Sequence, residues 1–237
     1  MGFKDRSTSG VFCRISGGKV VRNADKGTPG AIRVEKKDKK GNGTGEFAYQ
    51  IHNDTVDGRI VDIKAKVDNF NGEEIRKLTI TLNDAGQIIH VDLNEKSRYW
   101  QYFMYALPNI DMTRPVELCP WDFTPKGETK PKTGMTIKQS GVKVAPAFTR
   151  DTPGKLPPPK EAMFDGKKRL DFFEQRQWLI DNVLTDAIER IQEALGSIPA
   201  PAVEKRPVED MQAVYGGGAK AAEIPILPEE EDDDLPW

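Results

Sequence analysis

Arg59-Ile60-Val61-Asp62-Ile63-Lys64-Ala65-Lys66-Val67-Asp68-Asn69-Phe70 decides the fold class. From Val61 to Asp68 apolar and polar residues alternate without a break. Val61, Ile63, Ala65 and Val67 fall on one face, and Asp62, Lys64, Lys66 and Phe70 on the other. A period of two belongs to a strand with one buried side and one wet side. The pattern continues downstream. Leu78, Ile80 and Leu82 alternate with Lys77, Thr79 and Thr81. Asn83-Asp84-Ala85-Gly86 reads as a turn, and Ile89, Val91 and Leu93 then alternate with Ile88, His90 and Asp92. These three runs predict an antiparallel meander with one solvated face.

Further strands are expected on both sides. Upstream, Val11 to Ile15 and Lys19 to Arg22 flank Ser16-Gly17-Gly18, a hairpin signal. Ala31 to Glu35 and Glu46 to His52 follow, separated by the basic loop Lys36-Lys37-Asp38-Lys39-Lys40-Gly41-Asn42-Gly43. Downstream of the meander, Tyr99, Trp100, Phe103, Met104 and Leu107 recur at helical spacing before Pro108, with Asn94 or Ser97 as the cap. Strands are then expected at Val116 to Phe123, Met135 to Gln139 and Val142 to Phe148. Three strands, a helix and more strands suit a small, mainly β Greek-key barrel of the oligonucleotide-binding (OB-fold) type, five-stranded with extra N-terminal strands. Residues 1–150 form that domain in this reading. Residues 151–166, with Pro153-Gly154-Lys155-Leu156-Pro157-Pro158-Pro159, read as a stiff linker. Residues 167–196 read as one long amphipathic helix ended by Gly196. Its apolar stripe docks either on its own barrel or on a second subunit as a homodimer contact. Residues 197–237 read as a disordered tether and acidic tail.

The net charge of −2 hides a strong asymmetry. Residues 1–150 carry 25 basic and 18 acidic groups, net +7. Residues 151–222 carry 10 and 12, net −2, and residues 223–237 carry no base and 7 acids, net −7. A basic head and an acidic end attract each other when nothing else is bound.

The chain ends Glu229-Glu230-Glu231-Asp232-Asp233-Asp234-Leu235-Pro236-Trp237. An indole beside a free carboxylate, behind six acidic side chains, suits capture by a pocket with a basic rim. This tip resembles that of the bacterial single-stranded-DNA-binding proteins, which end in an acidic run and Ile-Pro-Phe. Leu235 stands for Ile, Pro236 is identical and Trp237 stands for Phe. The whole plan also resembles the single-stranded-DNA-binding proteins of T7-like phages: one barrel, a C-terminal helix and an acidic tail ending in an aromatic. The close match covers about nine residues. The resemblance implies a protein that coats single-stranded DNA in replication, recombination and repair. Its tail, through Asp232, Asp233, Asp234, Leu235, Pro236 and Trp237, would recruit a DNA polymerase, a helicase or primase, or a nuclease. The same tail would compete with DNA for the binding groove.

Non-specific binding of a single strand needs cations for the phosphates and aromatic faces for the bases. The candidate residues are Lys36, Lys37, Lys39 and Lys40 in the loop, Tyr49, Arg59, Lys64, Lys66, Phe70 and Lys77 on the strands, Trp121 and Phe123, and Lys138 and Lys143 around the last turn. Lysines on a wet sheet face also serve solubility alone. Trp121 and Phe123 either stack on bases or pack under the C-terminal helix. The Tyr99-to-Phe103 cluster reads as core.

No catalytic centre, cofactor or metal is expected. His52 and His90, the only histidines, have no Cys or His at ligand spacing. No phosphate loop with its lysine is present, and Cys119 precedes Pro120 with no evident base. Met1-Gly2-Phe3-Lys4-Asp5-Arg6 has no signal-peptide character, no run of about 18 apolar residues exists, and the only cysteines are Cys13 and Cys119. The expected compartment is the cytoplasm, that of the host cell if the protein is viral. The competing class is an acidic-tailed adaptor or DNA-mimic inhibitor that does not bind DNA. The net +7 of residues 1–150 favours DNA.

Overall fold

The computed structural model describes residues 10–37, 41–70, 73–164 and 167–196. The protein is mainly β. Seven strands precede the first helix: β1 (Gly10–Ser16), β2 (Lys19–Ala24), β3 (Ile32–Lys37), β4 (Gly43–Asn53), β5 (Val56–Phe70), β6 (Glu73–Asp84) and β7 (Gln87–Asn94). Helix α1 (Arg98–Ala106) runs into a short turn at Leu107–Asn109. Then come β8 (Pro115–Phe123), β9 (Lys132–Gln139) and β10 (Val142–Lys143). These form one sheet in the order β10-β9-β8-β5-β6-β7-β1-β2-β4-β3. All neighbours are antiparallel except β1 and β7, which run parallel. The predicted meander is β5-β6-β7, and α1 lies in the connection from its third strand to β8.

The strict alternation expected along β5 breaks at Val61. Ile60 pairs with Leu82 and Asp62 with Thr81, so Val61 is the extra residue of a β-bulge. The bulge changes which parity faces the core. Ile60 and Ile63 are both buried, against Leu82, Ile80 and Val91, while Val61 is only half-buried. Beyond Ile63 the strand leaves the core, and Ala65 and Val67, expected inside, are exposed. Asp62, Lys64 and Lys66 keep the predicted wet face.

Helix α1 starts as the sequence signals. The cap is Ser97, whose hydroxyl accepts from the Trp100 N–H at 3.2 Å; Asn94 instead closes the turn before the helix, accepting from the Lys96 N–H at 2.9 Å. Trp100, Phe103, Met104 and Leu107 are buried in the main core. Tyr99 seats the β1–β2 hairpin: its hydroxyl accepts from the Gly18 N–H at 2.9 Å. Gly18 has φ +67°, and a Cβ there would meet the Asp122 backbone nitrogen at 2.5 Å, so only glycine lets the hairpin tip reach β8.

The C-terminal third departs from expectation in three ways. The strand expected from Val142 to Phe148 stops at Lys143. The chain then turns inward, where Phe148 meets Tyr105 and Trp178 edge-on at 6.0 and 5.8 Å. The segment read as a linker is packed, since Leu156 is buried and the Pro157 carbonyl accepts from Gln175 at 2.9 Å. Finally, the helix does not begin at Lys167. β11 (Lys160–Phe164) and β12 (Lys167–Asp171) form a separate hairpin, and helical structure starts at Phe173. Three successive cations, Lys167, Lys168 and Arg169, oppose the positive end of a helix dipole. Asp171 supplies the missing acceptor, taking the Phe173 N–H at 2.8 Å.

From Phe173 the helix continues as α2 (Phe173–Trp178), a π-helical turn (Leu179–Leu184) and α3 (Thr185–Gly196). Its apolar face lies on its own body: Leu179, Val183, Leu184, Ala187, Ile191 and Ala194 join the main core. Arg190 donates to the carbonyls of Leu107 and Ile110, and Arg176 Nε lies 3.2 Å from buried Glu95. Past Arg59, β5 has no partner other than β6 among the described residues, and the helix covers that open side. Residues 197–237, with the predicted tether and tail, lie outside the described residues.

Candidate nucleic-acid interface

The predicted contact residues fall into three places along the sheet order, and the middle one is the most coherent. On the outer face of β5 and β6, Lys64 stands opposite Thr79 and Lys66 directly opposite Lys77. Thr79 in turn faces Asp92 of β7, which faces Arg14 of β1. One row therefore reads Lys64, Thr79, Asp92, Arg14, and the next holds Lys66, Lys77 and Asn94. Lys64 and Lys66 are exposed and Lys77 is half-buried. Lys64 forms an ion pair with Asp62, exposed enough for water to weaken it. The Thr79 hydroxyl donates to Asp92 at 2.7 Å, which occupies one oxygen of that carboxylate. Arg59 lies before the bulge, half-buried, opposite Asn83 and Pro115. Phe70 ends β5 opposite Glu73 in register.

The second place is the β8–β9 hairpin. Trp121 is half-buried and meets Tyr102 of α1 edge-on at 5.7 Å, so it packs under α1 rather than under the C-terminal helix. Phe123 lies 5.5 Å from Trp121 and is largely exposed. Lys138 pairs with Glu117 at 3.4 Å, and Lys143 stands opposite it on β10. The Cys119 thiolate that would form at high pH, and then Glu117, hold Lys138 above the usual lysine range. Burial, then Glu117, pushes the Cys119 thiol up, which favours the protonated thiol at neutral pH. Gly134 lies beneath the Trp121 ring, where a Cβ would come within 2.3 Å of Cζ2. Gly134→Ala is expected to destabilise the protein by about 1–3 kcal/mol through overpacking. Thermal unfolding, with near-ultraviolet circular dichroism to follow the displaced indole, checks it.

The third place is the β3–β4 end of the sheet. Lys36 pairs with Glu46 at 3.0 Å, while Lys37 is exposed opposite Gly43. Tyr49 is half-buried between Ala24 and Arg33. The Arg33 guanidinium lies 3.4 Å over the centre of the Phe47 ring, a cation–π contact. Lys39 and Lys40 lie outside the described residues.

Three residues of these faces were not singled out from the sequence: Phe12, Arg14 and His90. Phe12 and Arg14 alternate with Val11, Cys13 and Ile15 along β1, so the signal was an aromatic and a cation on the wet positions of a short strand. Phe12 lies flat over His90, ring centres 4.6 Å apart. Among the described residues no group of three or more His, Cys, Asp or Glu side chains is placed to hold a metal ion, and no helix is long and apolar enough to cross a membrane.

No protein-family model matches the chain, and no curated protein sequence matches it.

Proposed function

We propose that this protein binds single-stranded DNA without sequence preference, through an oligonucleotide-binding barrel made of β5 to β9. The observation that carries the reading is Lys66 directly opposite Lys77, with Lys64 one row away on the same face. Like charges placed opposite each other across a strand pair destabilise a sheet. A phosphate backbone lying over them reverses that sign. The strand order β9-β8-β5-β6-β7, with α1 between β7 and β8, supports the barrel assignment. In such barrels oligonucleotides lie on the face of the second and third strands, which here are β6 and β7.

The tail then regulates the same face and recruits replication partners. A groove of about 430 Å³ runs between β5 and the C-terminal helix, with Ile63, Ile180 and Ile188 in its lining and Lys64 and Lys66 beside them. Lys64 and Lys66 on its rim suit the acidic run of the tail, which leaves Trp237 for a partner. In this reading Trp237→Ala leaves DNA affinity nearly intact and weakens capture of a partner polymerase, helicase or nuclease. The spending of the helix stripe on its own body leaves the exposed Phe173 and Leu195 for any homodimer contact through that helix.

The test is a titration of fluorescent oligo-dT and of duplex DNA at several salt concentrations. The expected result is preference for the single strand and a steep loss of affinity with salt. A tail-deleted protein that binds no oligonucleotide at low salt would sink the reading and leave the non-binding adaptor.

A further inference from the structure

β1 joins the sheet in parallel beside β7, which places Phe12 opposite His90 and Arg14 opposite Asp92. Phe12 is 58% exposed, although it sits in the middle of a paired strand. Its ring lies over the imidazole at 4.6 Å between centres and 25° between planes, close to a parallel stack. The imidazole is held from two sides. Nδ1 lies 3.1 Å from the Thr81 hydroxyl, and Gly10 approaches so closely that a Cβ there would meet Cδ2 and Nε2 at 2.6 Å. A glycine at position 10 is thus what lets the imidazole lie flat under Phe12. The support is rigid, and with one ring face on the imidazole the other is turned outward. The neighbouring row reads Arg14, Asp92, Thr79 and Lys64; the Thr79 hydroxyl holds the Asp92 carboxylate at 2.7 Å, and Arg14 Nη1 lies 3.5 Å from the Asn23 side chain. An exposed ring on a fixed base, with Arg14 two residues along the same strand and Lys64 farther out on the same sheet face, is the pairing that base stacking beside a phosphate backbone requires.

We propose that Phe12, propped by His90, is a nucleobase-stacking subsite that extends the DNA face from β6 and β7 onto β1. The inference rests on the reading above and adds to it a ligand class and a residue. A base lies on the outer face of Phe12, and the flanking phosphates run along the row of Arg14 and Lys64. Phe12 is a binding residue here, and His90 positions it. The site tolerates any base, since every base has a π-face.

The test uses the full chain. Phe12→Ala is expected to weaken oligo-dT binding by about 5- to 150-fold, the range of one lost stacking contact. The slope of affinity against salt should stay unchanged, because no charge is removed. Phe12→Leu keeps apolar bulk without a ring and should lose a similar factor. Phe12→Trp should bind at least as well, and its added emission should be quenched on DNA addition. An abasic oligonucleotide should show no dependence on residue 12. Wild-type affinity in both the Ala and Leu variants, or equal dependence with the abasic strand, overturns the subsite while leaving the wider reading intact. Retained affinity in Phe12→Leu alone means an apolar contact rather than stacking, and also overturns it. Failure of the wild-type chain to bind any single strand overturns both.

Discussion

Replacing Lys64, Lys66 and Lys77 together by glutamine is expected to weaken binding to oligo-dT by on the order of a hundredfold at low salt. The three charges occupy two adjacent rows on one face, with Lys66 and Lys77 directly opposite each other. Each phosphate contact on a single strand contributes about 0.7 to the slope of log affinity against log salt, so three lost contacts lower it by about 2. Glutamine keeps most of the side-chain length, so the half-buried stem of Lys77 still covers the sheet. Removing two like charges from opposite positions should leave stability unchanged or slightly raised. That combination separates a binding role from a solubilising one. Solubilising lysines would give the same salt slope in the variant and wild type, and that result would remove this face from the interface. Titration at four or more salt concentrations reads both the affinity and the slope. The same change at Lys36 and Lys138, which pair with Glu46 and Glu117 on other parts of the sheet, should have a much smaller effect.

The parts of the fold legible in the sequence are those governed by local periodicity. The β5-β6-β7 meander and α1 follow from spacings of two and of three to four, and Ser97 marks the helix start with a side chain that bonds there. Periodicity carries no information about a two-against-one register, so the bulge at Val61 is invisible in it; nor does it show that the strand leaves the core beyond Ile63, which exposes Val67. In sequence the β11–β12 hairpin reads as linker and helix, because its strands are short and its apolar residues also fit a helical spacing; Met163 and Leu170 are exposed on it. The candidate site divides in the same way. Lys64, Lys66 and Lys77 were legible, since a lysine on the polar face of an alternating strand stays there when the strand forms. The sequence leaves Trp121 between two roles because its choice is tertiary: it depends on Tyr102 of α1 and on the space above Gly134. Phe12 was missed because the parallel pairing of β1 with β7 joins residues about 78 positions apart, and nothing local announces it.

Removing residues 223–237 is expected to tighten single-strand binding by on the order of tenfold at low salt, with the gain vanishing as salt rises. The magnitude follows from competition. A segment tied to its own binding site acts at an effective concentration in the millimolar range. A tenfold masking then needs a tail affinity of only about 0.1 mM. Seven carboxylates against a region of net +7 suffice for an interaction that weak. Reach does not limit it, since the residues between Gly196 and Glu229 span up to roughly 100 Å when extended. Salt screens the tail and the DNA alike, but in the intact chain it also frees the face it competes for. The intact chain should therefore show the shallower salt slope, and the truncated chain the steeper one. Changing Glu229, Glu230 and Glu231 to glutamine and Asp232, Asp233 and Asp234 to asparagine, with Leu235-Pro236-Trp237 kept, should reproduce most of the gain. If instead Trp237→Ala alone reproduces it, the competition is carried by the indole in the groove beside β5 and not by charge. If truncation leaves both affinity and slope unchanged, the tail does not visit the DNA face, and the opposed charges of the two ends serve separate partners.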